Sequence, residues 1–437
     1  MLKKLILFLT SLFIAVNSFA INEQEFVQLL QKNHPFFKIE NVNLRNLSVA
    51  KKIANPYDEW NFSSTMATTK VFGGVNNNSL VNIFNVENID GTTTKLSNTL
   101  TFSKSLNQKY NNTLALDYTI PLSQNKDGIN NSLNLDLSNI DLIIGNLQNK
   151  IDKNNFINNN LKKLWNLKFL QLNTEINRKI LQKEGEQLLI LQKKMNNNLV
   201  DSADALLQQN NYQAKKINLI SANSEELELQ SEIENIIKVK IQNINLNLEN
   251  LNFKPQNLEI YELSKIKILN LQQQKINRQI ISLEDKSKSK IDLNIGINST
   301  RNGNSVFGSR DDNSVSLGLT IALPLGGDVN SNLLLSQQNN LDALSWSVKQ
   351  ASLDLKNNYN TIIMQLKSLK EISIVNKQQL ITSNQRVLEL EKMYLNNNTE
   401  LQYVINAKND KYNTQLTYYK NLLKYKNLQF DYLNLNQ

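Results

Sequence analysis

The sequence predicts an α+β membrane protein, a β-barrel assembled from several copies with about four strands per chain, continued by a long α-helical coiled-coil barrel. Three observations carry this reading. Two regions alternate apolar and small polar residues with the period of a strand. Two stretches of about 70 residues hold almost no glycine or proline and space their apolar residues at three, four and seven. The order helix, strands, long helices then occurs twice, which makes two internal repeats.

Composition narrows the function classes first. The chain has 437 residues, 12 glycines, 5 prolines and no cysteine. Average glycine usage of about 7% would give roughly thirty, so a loop-rich enzyme is hard to build from this sequence. Without cysteine there is no disulfide scaffold, no thiolate metal site and no cysteine nucleophile. The one histidine, His34, directly precedes Pro35 where a helix begins, a structural place rather than a catalytic one. No phosphate-binding loop or dinucleotide fingerprint is present, and no cofactor is called for. The formal charge of +9 is spread along the chain rather than gathered in a stripe, so it argues for no nucleic-acid partner. Asparagine makes up about one residue in six and is distributed through every region.

Taken in order, the elements begin with an export signal. Lys3 and Lys4 precede an apolar run from Leu5 to Val16, and Ser18-Phe19-Ala20 puts small residues at the −3 and −1 positions for cleavage after Ala20. Residues 1–20 are thus a signal peptide, 21–254 the first repeat and 255–437 the second. No later apolar run reaches the length of a membrane helix, so the mature chain is soluble, surface-attached, or in a membrane as a β-barrel.

Helical periodicity covers 23–53, and strand-like alternation follows in 59–122. Leu114, Leu116, Tyr118 and Ile120 alternate with Thr113, Ala115, Asp117 and Thr119. Strands are clear at 60–69 and 112–122, with extra ones possible near 79–86 and 95–105. Helices flank the strands on both sides, so each repeat needs an even number, and two per repeat is the favoured count. Residues 124–253 read as two long helices folded at the asparagines 196–198. Pro255 interrupts, 256–284 is helical, and 290–325 alternates again. There Val315, Leu317, Leu319, Ile321 and Leu323 face one way while Ser314, Ser316, Gly318, Thr320 and Ala322 face the other. A strand with oil on one side and water on the other needs this pattern. From 328 to the end a second long hairpin turns at the asparagines 396–398. Four strands per chain cannot close a barrel, for which about eight is the practical minimum, so several copies contribute.

The repeats share landmarks. Asp117-Tyr118-Thr119-Ile120-Pro121-Leu122 aligns with Thr320-Ile321-Ala322-Leu323-Pro324-Leu325, and Lys194-Met195 with Lys392-Met393. These features, with Asn33-His34-Pro35, Asn55-Pro56 and Pro324-Leu325-Gly326-Gly327, resemble the TolC-type outer-membrane efflux family over nearly the whole mature chain. Ser202-Ala203-Asp204-Ala205-Leu206-Leu207 and Tyr403-Val404-Ile405-Asn406-Ala407-Lys408 are similar to its repeated motif after each hairpin turn. Asparagine at Asn198 and Asn397 stands where the family usually has glycine.

The resemblance implies a homotrimer with a twelve-stranded barrel in outer-membrane lipid and a helical tunnel in the periplasm. It implies a passive, non-enzymatic exit duct for an efflux or type I secretion system, served by a periplasmic adaptor and an inner-membrane pump. Its tunnel end would open by helix untwisting. Asn198, Asp201, Asp204, Asn397 and Glu400 are then the candidate tip residues for adaptor contact or a gate. A periplasmic adaptor and a coiled-coil structural protein or adhesin are the alternatives. The first should carry more glycine, and the second lacks a reason for duplicated strand pairs.

Overall fold

A computed structural model describes residues 20–69, 77–103, 110–197, 201–303, 310–323, 328–396 and 398–436. All of the predicted signal except Ala20 lies outside these residues, as do Pro324 to Gly327, Asn198 and Asn397. The elements are β1 (Ala20–Ile21), α1 (Glu23–Asn33), α2 (Pro35–Ile53), β2 (Asn61–Thr69), β3 (Asn77–Glu87), β4 (Thr93–Ser103) and β5 (Tyr110–Pro121). They continue with α3 (Leu133–Asn196), α4 (Ser202–Ile237), β6 (Asn243–Ile244), α5 (Ser264–Lys286), β7 (Lys290–Gly303), β8 (Arg310–Ala322), α6 (Asp328–Leu395) and α7 (Leu401–Leu435). The chain forms two compact units, and each draws segments from both sides of the repeat boundary placed at 254.

One unit comprises Met1–Asn41, Lys150–Leu263 and Leu353–Gln437. Its core is apolar side chains at helical spacing, among them Phe26, Leu30, Leu164, Leu167, Ile233, Ile237 and Leu422. Leu30, Leu164 and Leu422 are fully buried, and burial on this scale contributes about 1.5–3 kcal/mol per large side chain. The entry to α1 is fixed by a capping box. Asn22 Oδ1 accepts the Glu25 amide at 2.9 Å, and Glu25 accepts the Asn22 amide at 3.1 Å. Just before it, β1 pairs in parallel with β6, Ala20 opposite Asn243 and Ile21 opposite Ile244. His34 separates α1 from α2, its Nδ1 accepting the Phe36 amide at 3.2 Å and its ring 4.7 Å from that of Phe156.

Two helix limits differ from the expectation. The helix read over 201–253 ends at Ile237, where Lys238 takes a left-handed backbone with φ 58°. The helix read from 256 begins at Ser264. Between them Ile241, Ile244 of the short strand β6 and Leu248 are buried outside any helix, and their spacing of three and four imitates a helix.

The other unit, Val42–Asn149 with Ser264–Ser352, holds one antiparallel sheet in the order β2-β3-β4-β5-β7-β8. Among the described residues this sheet has six strands, where about four per chain were expected. The first half of the chain supplies four of them, so the favoured count of two there is corrected. The cause is a five-residue turn at 88–92 that sends the chain back up as β4. Gly91 has φ +86° there, and Asp90 Oδ1 accepts both the Thr92 amide (2.9 Å) and hydroxyl (2.8 Å). This turn rests on the linker before α3, where Asn131 donates to Glu87 Oε1 and to the Asn88 carbonyl. Below the sheet, α5 is tied to the start of α3 by Arg278 to Asp136 and Lys275 to Asp141, each at 2.6 Å. Asp285 is 1% exposed and accepts the Asn125 amide and the Asn130 side chain. No helix among the described residues is long and apolar enough to cross a membrane.

Candidate functional site

Two places carry the residues singled out in the sequence, the sheet in one unit and the helix ends in the other.

In the sheet, strand register decides which side chains share a face. Phe62, Phe84, Leu96, Leu116, Ile297 and Val315 lie opposite one another in turn, an unbroken apolar row across all six strands. The row one residue along points to the other face and reads Ser63, Ile83, Ser97, Ala115, Asn298 and Ser314. Phe62 and Phe84 pack with their rings tilted and centroids 4.6 Å apart. The apolar face is also exposed, with Met66, Val315 and Leu317 each at least three-quarters accessible. An uncovered apolar face of this extent marks a surface that meets lipid or another chain.

The apolar stretch is slanted across the strands. On β8 it is centred at Leu319, between Val315 and Leu323. On β2 it is centred at Ser64, between Phe62 and Met66. Followed through the register, the Leu319 row runs through Leu293 and Ile120 and would reach position 58, six residues before Ser64. Strands about 4.8 Å apart and tilted by about 40° shift a level band by roughly 4 Å per strand, or about six residues over five steps. The slant therefore matches a level band on tilted strands. Toward the far end of β7 and β8 the same face turns polar, with Arg301 paired to Asp311 at 3.0 Å.

The helix ends form the second place. Leu191 of α3, Leu401 and Ile405 of α7 form a small buried cluster, covered by Leu207 and Tyr394. Asp201 caps α4, its Oδ1 accepting the Ala203 amide at 3.1 Å. Glu400 holds the matching position before α7 without a side-chain cap. Asp204, Asp201 and Glu400 come close enough to interact. Burial first, then the charges of Asp201 and Glu400, push the Asp204 carboxyl above its usual range. Burial and the nearby Asp204 likewise raise the Tyr394 phenol. Three of the five predicted tip residues are thus brought together; Asn198 and Asn397 lie outside the described residues.

Sequence reasoning missed the polar contacts that join the helices just behind this end. Lys408 of α7 is buried and reaches Gln187 of α3 at 2.5 Å and Glu391 of α6 at 3.0 Å. Glu184 of α3 is 1% exposed and accepts from Gln208 (2.7 Å) and Asn211 (2.9 Å) of α4. The available signal was Gly185, alone in the lower half of α3, where an added Cβ would lie 3.2 Å from the Tyr212 ring. Among the described residues no cluster of three or more metal-ligating side chains occurs.

No protein-family model matches the chain. No curated protein sequence matches it either. Solved structures do. CusC, described for conformational changes accompanying folding and transmembrane channel formation, is 10% identical with a TM-score of 0.74, over 95% of this chain and 92% of that one. The outer membrane protein VceC of Vibrio cholerae is 11% identical with a TM-score of 0.70, over 95% and 96%. The MtrE outer membrane channel of Neisseria gonorrhoeae, in its open state, is 11% identical with a TM-score of 0.69, over 95% and 88%. The chain thus has the helix-rich fold with an antiparallel sheet of these outer-membrane channels, the TolC-type fold that its sequence motifs resemble.

Proposed function

We propose that the protein is the outer-membrane exit duct of a tripartite efflux or type I secretion system, a passive homotrimeric channel and not an enzyme. The observation that carries this is the apolar row running in register across six strands, backed on the opposite face by residues that are small or polar except for Ile83. That is the chemistry of a wall between lipid and a water-filled lumen. Six strands are too few to close. The outer strands β2 and β8 contain no proline, β2 no charge, and β8 charge only at its far end. Such undefended edges pair with further strands, and a second copy supplies them. Three copies of six strands would make eighteen, wide enough for an aqueous channel. Apolar residues exposed on α4 (Leu206, Ile217, Ile220, Leu227) and on α6 (Met364, Val375, Ile381) support packing of copies along the helices as well.

In this reading the helix ends lie in the periplasm, where the adaptor and pump engage them and where untwisting opens the duct. Asn198, Asp201, Asp204, Asn397 and Glu400 are the proposed contact or gate residues. Carboxylates repeated by symmetry around a narrow opening favour cations. Export through a signal cut after Ala20 and two structural repeats, 21–254 and 255–437, belong to the same reading. The test is deletion of the gene in its own host. Sensitivity to drugs or dyes that the intact gene restores, with the protein in outer-membrane fractions, supports the duct. Unchanged sensitivity with the protein in the soluble periplasmic fraction rejects it.

A further inference from the structure

A groove near the helix ends carries a feature that a conduit does not require. It opens between α3 and α6 over a floor from α7, with a cavity of about 490 Å³, within the range of small-ligand sites. Its walls are apolar, from Ile190 and Leu191 on α3 and Val387, Leu388 and Leu395 on α6. Lysines mark its two ends, Lys183 and Lys411 at one and Lys194 at the other. Lys183 and Lys194 are eleven residues apart, or roughly 16 Å along the helix, so the cavity averages about 30 Å² in section. That accommodates one extended alkyl chain.

Charge fixes the polarity of the ligand. Lys408 is already matched by Glu391 at 3.0 Å. Among the described residues neither Lys183 nor Lys411 has a hydrogen bond or ion pair. Burial, then Lys183 and Lys408, hold the Lys411 ammonium below its usual range despite the nearby Glu391. Glu186 of α3 also lines the groove and accepts from Gln182 at 3.1 Å, which leaves Lys411 facing more cations than carboxylates.

We propose that the groove binds a single-chain amphiphile with an anionic head, of the fatty-carboxylate class, its head between Lys183 and Lys411 and its chain running along Leu388 toward Leu395. The idea goes beyond the exit-duct reading and does not depend on it. The probe is laurate, measured by equilibrium dialysis against the full-length protein in lipid nanodiscs, with empty nanodiscs as the blank. Dodecyltrimethylammonium serves as the cationic control. Saturable laurate binding above the blank is expected, with at least tenfold loss in both Lys411→Glu and Lys411→Gln. Lys424→Glu, a change on the exposed face of α7, should leave binding unchanged, and Leu388→Asp should abolish it. Laurate uptake no greater than the blank overturns the proposal, as does equal affinity for the cationic control or for both Lys411 variants. A Leu388→Cys label shielded in the assembled oligomer without any amphiphile also overturns it, because a neighbouring helix would then fill the groove.

Discussion

Gly128 occupies a backbone conformation with φ +69°, and a Cβ built there would lie 1.7 Å from the Ile89 carbonyl oxygen. No side chain fits without moving the 88–92 turn. Gly128→Ala should therefore cost at least ~2 kcal/mol, read as a lower midpoint in thermal unfolding of the purified protein. An unchanged midpoint would mean that the turn does not rest on this linker. Asp204 gives a pH dependence with a definite direction. Its carboxyl is raised by burial, Asp201 and Glu400, so the folded helix ends hold the proton more tightly than the unfolded chain does. Their stabilisation is complete below the ordinary carboxylate range and is lost as pH rises through the raised value. Amide protection factors at the starts of α4 and α7, with the intrinsic pH dependence of exchange divided out, should accordingly rise on acidification toward that range. Asp204→Asn should remove the dependence, and slow exchange at neutral pH as well. Faster exchange in the variant would contradict this account of the cluster.

Along a strand, alternation divides the tolerated changes from the costly ones. Leu317 lies on the exposed apolar face, and Gly318, its neighbour on the other face, has nothing within 4 Å of an added Cβ. Leu317→Arg should lower the stability of the membrane-inserted form by about 2–4 kcal/mol, whereas Gly318→Ala should be close to neutral. Heat-modifiable mobility of the two variants compares them directly, and equal behaviour would refute a lipid-facing β8. This alternation was legible in the sequence because each face of such a strand meets one solvent only. The long helices were legible too, since almost nothing interrupts their periodicity. The β3–β4 hairpin was harder to read: the rows Ser64, Asn82 and Asn98 put polar residues on the apolar face, weakening the alternation there. Its one clear signal was Asp90-Gly91, a dipeptide that favours tight turns. The end of α4 at Ile237 was hidden because Ile241, Ile244 and Leu248 keep helical spacing in a segment held by burial rather than by helix hydrogen bonds. At the helix ends, the sequence pointed to Asp201, Asp204 and Glu400 by their place after each turn. The Lys408–Glu391 and Glu184–Gln208 contacts join different helices, and no local spacing announces them.

For the whole molecule, the central proposal is closure by copies of itself. Among the described residues one chain brings six strands with an exposed apolar face and edges that pair with no other strand, a sheet that in a bilayer would need further copies. The absence of cysteine in the chain makes introduced thiols unambiguous reporters. Cysteine pairs placed one on β2 and one on β8 should cross-link between copies into a ladder ending at three, and a ladder ending elsewhere would change the strand count proposed for the barrel. The most direct measurement is single-channel conductance of the detergent-extracted oligomer in planar bilayers, after its mass has been determined. The account predicts a trimer with a small, cation-preferring conductance that loses its cation preference when Asp201, Asp204 and Glu400 are neutralised together. A soluble monomer that gives no conductance would contradict it.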